Sequence, residues 1–216
     1  MNQVFNKLQI LLILLTCSIG FAQAEEFAAK TKQISVKTFT NQFKNLIPYE
    51  QPTLNKITDI KIATKALSGR FTLTSKQVEI KNSAGKSVFQ HIYQEGPDTF
   101  IAYYPKENLI QLEDWMQGDW IISTETGDEY EEVPSARVYS PKGNLRMSSY
   151  YNTQETVWFI QKKNNEQWTK LKEITMDPSA YKNLDSVRQF FWVDNESFIF
   201  ENGNTKQFYQ GMIINE

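Results

Sequence analysis

From Gly69 onward, hydrophobic and polar residues alternate along short stretches of the chain. Phe71 and Leu73 stand two positions apart, as do Val78 and Ile80, with polar residues between them. Such alternation is typical of β-strands with one buried face. It predicts further strands near residues 88–93, 100–104, 109–112, 120–123, 137–139, 145–151, 156–161, 168–174, 189–193, 197–200 and 208–214.

Turn-forming residues separate these predicted strands. Examples are Asn82 to Lys86, Gly96-Pro97-Asp98 and Asn164-Asn165. Short strands joined by tight turns favour an antiparallel meander. We therefore expect an all-β fold, arranged in a propeller-like manner or as a sandwich, with one short helix near its N-terminus.

The expected helix precedes the strands. The apolar residues of this segment have helical spacing; they are Val36, Phe39, Phe43, Leu46 and Ile47. Ser35 is a suitable N-cap for such a helix, and Pro48 is a suitable residue to end it. We assign 25–54 to this helix and a connector, and 55–216 to an antiparallel β domain. Early in that domain, Ile57, Ile60 and Ile62 fit either a helical turn or the start of a strand.

The first residues have the organisation of a secretory signal peptide. A weakly basic start is followed by an apolar run from Leu8 to Phe21, and Ala22-Gln23-Ala24 supplies the small residues of a cleavage site. We expect residues 1–24 to be removed after Ala24, leaving a periplasmic or secreted protein with no transmembrane segment. The alternative is a lipoprotein acylated at Cys17, although Thr16 is a poor residue to precede such a cysteine.

Composition excludes several classes of function. The charge is nearly balanced, at −2 for the whole sequence, and no block of Lys and Arg stands out, so we expect no nucleic-acid partner. The single cysteine lies in the predicted signal peptide, which leaves the mature chain without disulfides, thiol nucleophiles or thiolate metal ligands. Aromatic residues must supply much of the core instead.

Three windows of the sequence are alike: an aromatic residue, a tight polar turn and a new apolar strand. They are Tyr104 to Ile110, Tyr139 to Leu145 and Trp192 to Phe200. The middle window, with Ser140-Pro141-Lys142-Gly143-Asn144, is similar to the Ser-Pro-Asp-Gly-Lys turn of propeller blades. Over residues 99–214 the chain thus resembles the TolB-like and WD40-like β-propeller repeats. That resemblance implies a binding scaffold and no particular chemistry.

Aromatic residues near strand ends are the best candidates for binding. We select Trp115, Trp120, Tyr104 and Tyr151, expecting them to form a solvent-facing aromatic cluster. The leading hypothesis is therefore a non-enzymatic binding or interaction protein, with a protein or glycan of the cell envelope as its partner. A purely structural component of the envelope is a further alternative.

Acidic residues beside the tryptophans suggest a second function. Glu113, Asp114 and Asp119 could provide the two carboxylates, about 5–10 Å apart, that a glycan hydrolase requires. The sequence contains one histidine, His91, which we interpret as structural because no nucleophile motif accompanies it. We assign no catalytic residue, no metal and no cofactor.

Overall fold

The computed structural model describes residues 27–154, 156–165, 167–171 and 187–215. Within these ranges the strands form four antiparallel sheets, and the predicted all-β class is confirmed. The predicted signal peptide, its cleavage site, the lipidation alternative at Cys17 and the end of the strand predicted at 168–174 lie outside the described residues.

The sheets follow one another along the chain. Sheet I contains β2 (Phe71–Leu73), β3 (Gln77–Lys81) and β4 (Ser87–Ile92), and sheet II contains β5 (Thr99–Tyr104), β6 (Leu109–Glu113), β7 (Asp119–Ser123) and β8 (Glu129–Tyr130). Sheet III contains β9 (Val138–Tyr139), β10 (Leu145–Tyr151), β11 (Thr156–Asn164) and β12 (Gln167–Lys170). Sheet IV contains β13 (Val187–Trp192), β14 (Ser197–Asn202), β15 (Phe208–Asn215) and a strand from the other end of the chain.

That additional strand is β1 (Phe27–Ile34), which pairs antiparallel with β15 along its whole length. The segment 25–54, predicted to hold only a helix and a connector, therefore contributes an outer strand to sheet IV. The sequence of β1 gives little sign of a strand. Its hydrogen-bonding partner lies at the far end of the chain, and no neighbouring residue indicates that pairing.

Two α-helices lie between β1 and β2. Helix α1 (Val36–Lys44) begins at Ser35, whose hydroxyl accepts the backbone N–H of Thr38 at 3.1 Å, and its Phe39 ring packs on Phe208 with ring centroids 4.5 Å apart. Helix α2 (Ile60–Ala66) is capped by Asp59. Ile57 instead bridges Tyr103 of β5. A 3₁₀ turn, Pro134–Ala136, joins sheets II and III.

Three hydrophobic clusters occupy the spaces between neighbouring sheets. One joins α2 and sheet I to sheet II, the second lies between sheets II and III, and the third joins sheets III and IV. Tyr103 belongs to the first cluster and the adjacent Tyr104 to the second. Because successive side chains on a strand point to opposite faces, sheet II is buried on both of its faces.

The three similar sequence windows occupy equivalent places. Each spans the hairpin between an outer strand of its sheet and the next strand along the chain: β5–β6 in sheet II, β9–β10 in sheet III and β13–β14 in sheet IV. The three similar windows therefore mark the same position in three successive sheets. Sheets III and IV are also joined by the Trp192 indole, which donates to the carbonyl oxygen of Val138 at 2.8 Å.

Candidate functional site

Segments from sheets I, II and III meet around a cleft of about 350 Å³. We call it the acidic cleft, because four carboxylates are among its lining residues: Asp98, Asp114, Asp119 and Glu129. The cleft also brings together three of the aromatic residues selected from the sequence, namely Trp115, Trp120 and Tyr151, with His91 beside them. Thus residues predicted separately as binding aromatics and as candidate acids line one depression.

Asp114 shapes the turn that presents the most exposed aromatic ring of the cleft. Its Oδ1 accepts the backbone N–H groups of Met116 at 2.9 Å and Gly118 at 2.7 Å. Trp115, at the start of this turn, is 51 % exposed. A Cβ atom on Gly96 would lie 3.1 Å from the Cβ of Trp115, so the two segments are in close contact. The indole is thereby held at the surface by ordered backbone.

Asp119 connects two sheets at the wall of the cleft. Its Oδ2 accepts the backbone N–H of Tyr151 at 2.8 Å, and its Oδ1 accepts the side-chain amide of Gln111, also at 2.8 Å. Both carboxylate oxygens therefore have donors. The Tyr151 hydroxyl donates to the carbonyl oxygen of Thr153 at 3.1 Å, which orders the next turn.

Tyr104 does not belong to the exposed cluster in which we expected it. Its side chain is fully buried, and its hydroxyl donates to Oε1 of Gln111 at 2.8 Å. Since Gln111 in turn donates to Asp119, Tyr104 supports the cleft wall from inside the sheet and does not itself line the cleft. Glu113 is half-buried and pairs with Asp119 in the β-ladder, but it does not line the cleft.

Trp120 and His91 form the aromatic side of the cleft. The Trp120 ring meets His91 edge to face, with centroids 4.9 Å apart, and it meets Phe89 in the same manner at 5.1 Å. His91 also contacts the Tyr93 ring at 5.4 Å. The only histidine of the sequence is thus held between two aromatic rings at the edge of sheet I.

Asp98 is the residue that sequence analysis missed. Its side chain is 1 % exposed, yet neither carboxylate oxygen has a hydrogen-bond partner in the described part of the chain. The Nδ1 atom of His91 lies 3.9 Å from Oδ2, and both this nitrogen and the Tyr93 hydroxyl are likewise buried without hydrogen bonds.

Burial raises the pKa of Asp98, and this effect outweighs the opposing influence of His91 and Tyr93. Burial also raises the pKa of Tyr93, and the nearby Asp98 charge raises it further. In the sequence, Gly96-Pro97-Asp98 indicated only a turn. An unpaired acid in a turn has no periodic or motif signal that could distinguish it from a solvated one.

A second, larger depression of about 950 Å³ lies at the junction of sheets II and III. At its base, Glu132 accepts hydrogen bonds from Arg137 and, at 2.7 and 2.8 Å, from Nη2 of Arg146. The Arg146 guanidinium also covers the Trp168 ring, 4.0 Å from the centroid, and burial lowers its pKa. We call this the ion-pair cleft. Its central charges bind one another, so it is the weaker candidate for a ligand site.

Other kinds of site have no support in the described ranges. No group of three or more His, Cys, Asp or Glu side chains is arranged there to hold a metal ion. Neither helix of the described part of the chain has the length and apolar character needed to cross a membrane.

No protein-family model matches the sequence, and no curated protein matches it.

Proposed function

We propose that the protein is an exported, non-enzymatic binding module that holds a glycan of the cell envelope in the acidic cleft. The observation that carries this proposal is the half-exposed Trp115 indole beside Trp120, Tyr151 and four carboxylates. A flat apolar ring surrounded by hydrogen-bond acceptors suits a sugar, whose ring faces are apolar and whose hydroxyls donate. A volume of about 350 Å³ suits one or two sugar rings better than a protein surface.

The order of the cleft walls supports binding. Asp114 fixes the backbone of the turn after Trp115, and Asp119 fixes the backbone of Tyr151, through hydrogen bonds of 2.7–2.9 Å. A site whose walls are already ordered loses less conformational entropy when its ligand arrives. The two acids thus help the tryptophans to bind, without having to act on the ligand themselves.

The test is titration of the purified protein with chitotetraose, cellotetraose and the fully deacetylated tetramer of glucosamine, followed by calorimetry. We expect at least one of them to bind the unmodified protein and Met116→Ala, and not Trp115→Ala. Met116 is the matched control, since it is adjacent and 49 % exposed but does not line the cleft. Absence of binding by all three sugars, or equal binding to Trp115→Ala, would contradict a glycan site here and favour a protein partner.

Hydrolysis is the second candidate, and one observation favours it. The raised pKa of Asp98 is what a general acid requires, and Asp114 and Asp119 line the same cleft. The binding proposal is preferred because both oxygens of Asp119 and one oxygen of Asp114 already accept N–H donors. Release of shorter sugars from the same tetramers, lost in Asp98→Asn, would establish hydrolysis instead.

We further propose that sheets I to IV are the blades of a propeller-like arrangement. Their sequential order, the clusters between neighbouring sheets and the equivalent hairpin windows support this proposal. Export is proposed from the leader sequence alone. Mass spectrometry of the protein recovered from a bacterial periplasm should find Glu25 as its first residue; an acylated Cys17 would indicate the lipoprotein instead.

A further inference from the structure

We propose that the acidic cleft selects glycans that carry a protonated amine over their neutral or N-acetylated counterparts. This inference rests on the proposed function and defines its ligand. The first observation is charge: four carboxylates line the cleft, and no Lys or Arg is found among its described lining residues. Such a depression has a negative potential that attracts cations and repels anionic sugars.

The second observation is the unsatisfied state of Asp98. Its side chain is almost wholly buried, and neither oxygen receives a hydrogen bond within the described ranges. Burying a charged carboxylate in this position costs free energy unless a hydrogen-bond donor reaches it. An ammonium group supplies three N–H donors and the compensating charge, whereas an acetamide supplies one donor and no charge.

Two groups inside the protein, the Tyr93 hydroxyl and Nδ1 of His91, face Asp98, but neither makes a hydrogen bond in the part of the chain that the structure describes. The groups facing it are His91 from β4, Tyr93 just after that strand, and Asp114 from the turn between β6 and β7. Asp114 is itself acidic, and His91 lies beyond hydrogen-bond distance at 3.9 Å. The cleft thus contains a buried carboxylate that a cationic donor would compensate more strongly than the two unbonded groups beside it.

The exposed ring of Trp115 strengthens the same preference. Its indole is the most exposed of the three aromatic side chains named in this cleft. A cation over an indole face is attracted by the ring quadrupole, by about 0.5–2 kcal/mol depending on its exposure to water. Trp115 and Asp98 line the same depression, so an amino sugar stacked on this ring would have its amine in the same negative potential.

The decisive comparison uses two probes that differ only in N-acetylation: the tetramer of glucosamine and chitotetraose, in low-salt buffer slightly below neutral pH. We expect the unmodified protein to bind the free-amine tetramer about tenfold more tightly, as expected for one cation–π contact combined with one ion pair. Asp98→Asn should reduce this preference to less than about threefold. Glu131→Gln, an exposed acid outside the cleft, should keep it.

Salt dependence provides a second readout that does not depend on a variant. Affinity for the free-amine tetramer should fall as salt is raised, because screening weakens the attraction between charges, while affinity for chitotetraose should change little. Equal or tighter binding of chitotetraose, or full preference retained in Asp98→Asn, would overturn the inference and leave the glycan site standing. Binding of neither tetramer would overturn the inference, and the proposed function would then depend on cellotetraose.

Discussion

The carboxylate of Asp119 at the start of β7 accepts the backbone N–H of Tyr151 at the end of β10, at 2.8 Å. This bond joins sheets II and III at the point where the acidic cleft opens. The same carboxylate is reached from inside sheet II by Gln111, which holds the buried Tyr104 hydroxyl. A continuous chain of side-chain hydrogen bonds therefore runs from the core to the cleft wall.

Asp119→Asn should lower the free energy of unfolding by about 1–3 kcal/mol, because an amide has one oxygen for two donors and turns its own N–H group toward the other donor. Urea unfolding followed by tryptophan fluorescence would measure the change. Glu113→Gln is the control, since it faces Asp119 in the ladder but does not line the cleft, and it should change stability by less than about 0.5 kcal/mol. Equal effects of both substitutions would show that the bond to Tyr151 contributes little.

Glu132→Gln should be one of the most destabilising single substitutions, by about 3–5 kcal/mol. It removes the buried carboxylate that Arg137 and Arg146 both bind. The two buried guanidinium charges then lose this negative partner. Glu131→Gln removes a neighbouring acid whose partner, Lys170, is exposed, and should cost no more than about 1 kcal/mol. The two midpoints of urea unfolding should therefore differ clearly; similar midpoints would contradict a structural role for the buried pair.

Gly211→Ala should destabilise the core of sheet IV. A Cβ atom at this position of β15 would lie 2.1 Å from Cζ of Phe198, whose ring covers the glycine from the paired strand. Phe198 is fully buried between Phe190 and Phe200 and has little room to move, so we expect a loss of about 1–3 kcal/mol or more.

Thermal unfolding monitored by circular dichroism would test this prediction. Gln210→Ala, one residue earlier on the same strand, is the control and should leave the melting temperature nearly unchanged. A fully native melting temperature for Gly211→Ala would mean that the Phe198 ring has space the structure does not show.

Asp98 should make stability depend on pH in the opposite sense to a paired acid. Because burial raises its pKa in the folded protein above the ordinary value of 3.8, the folded state binds this proton more tightly than the unfolded chain does. Its contribution to stability is present at acidic pH and is lost as the pH rises through the raised pKa. Asp98→Asn should therefore be more stable than the unmodified protein at neutral pH, by about 1 kcal/mol, because the amide places no charge in this buried position.

This advantage should shrink as the pH is lowered from the raised pKa toward the ordinary one, and urea unfolding across that range would measure it. The comparison should be repeated with His91→Gln, because His91 opposes the rise in the pKa of Asp98, while Tyr93 and Asp114 stay unchanged. A variant less stable than the unmodified protein at neutral pH would show that Asp98 has a stabilising partner.

Much of the β-structure could be predicted from the sequence, because one-sided burial leaves a period of two. The strands around Val78 and Ile80 follow that rule, with both residues buried. Tyr104 shows its limit. Neighbouring sheets cover both faces of sheet II, so Tyr103 and Tyr104 are both buried, and no local pattern reports what packs on the second face.

The candidate site was predictable where it depended on local chemistry. Trp115, Trp120, Asp114 and Asp119 are close in sequence, and a single turn between paired strands brings them to one place. Asp98 and His91 come from sheet I and the segment after it, and only packing between sheets brings them beside Trp120. The buried acid of the cleft thus depends on contacts between distant parts of the chain, whereas Asp114 and Asp119 do not.

The pairing of β1 with β15 has a consequence for how the molecule is made. The ribosome synthesises β1 long before it synthesises β15, so β1 has no partner strand during most of translation. The pairing of β1 with β15 can form only at the end of synthesis. If the protein is exported as we propose, sheet IV can be completed only after the whole chain, including β15, has been made.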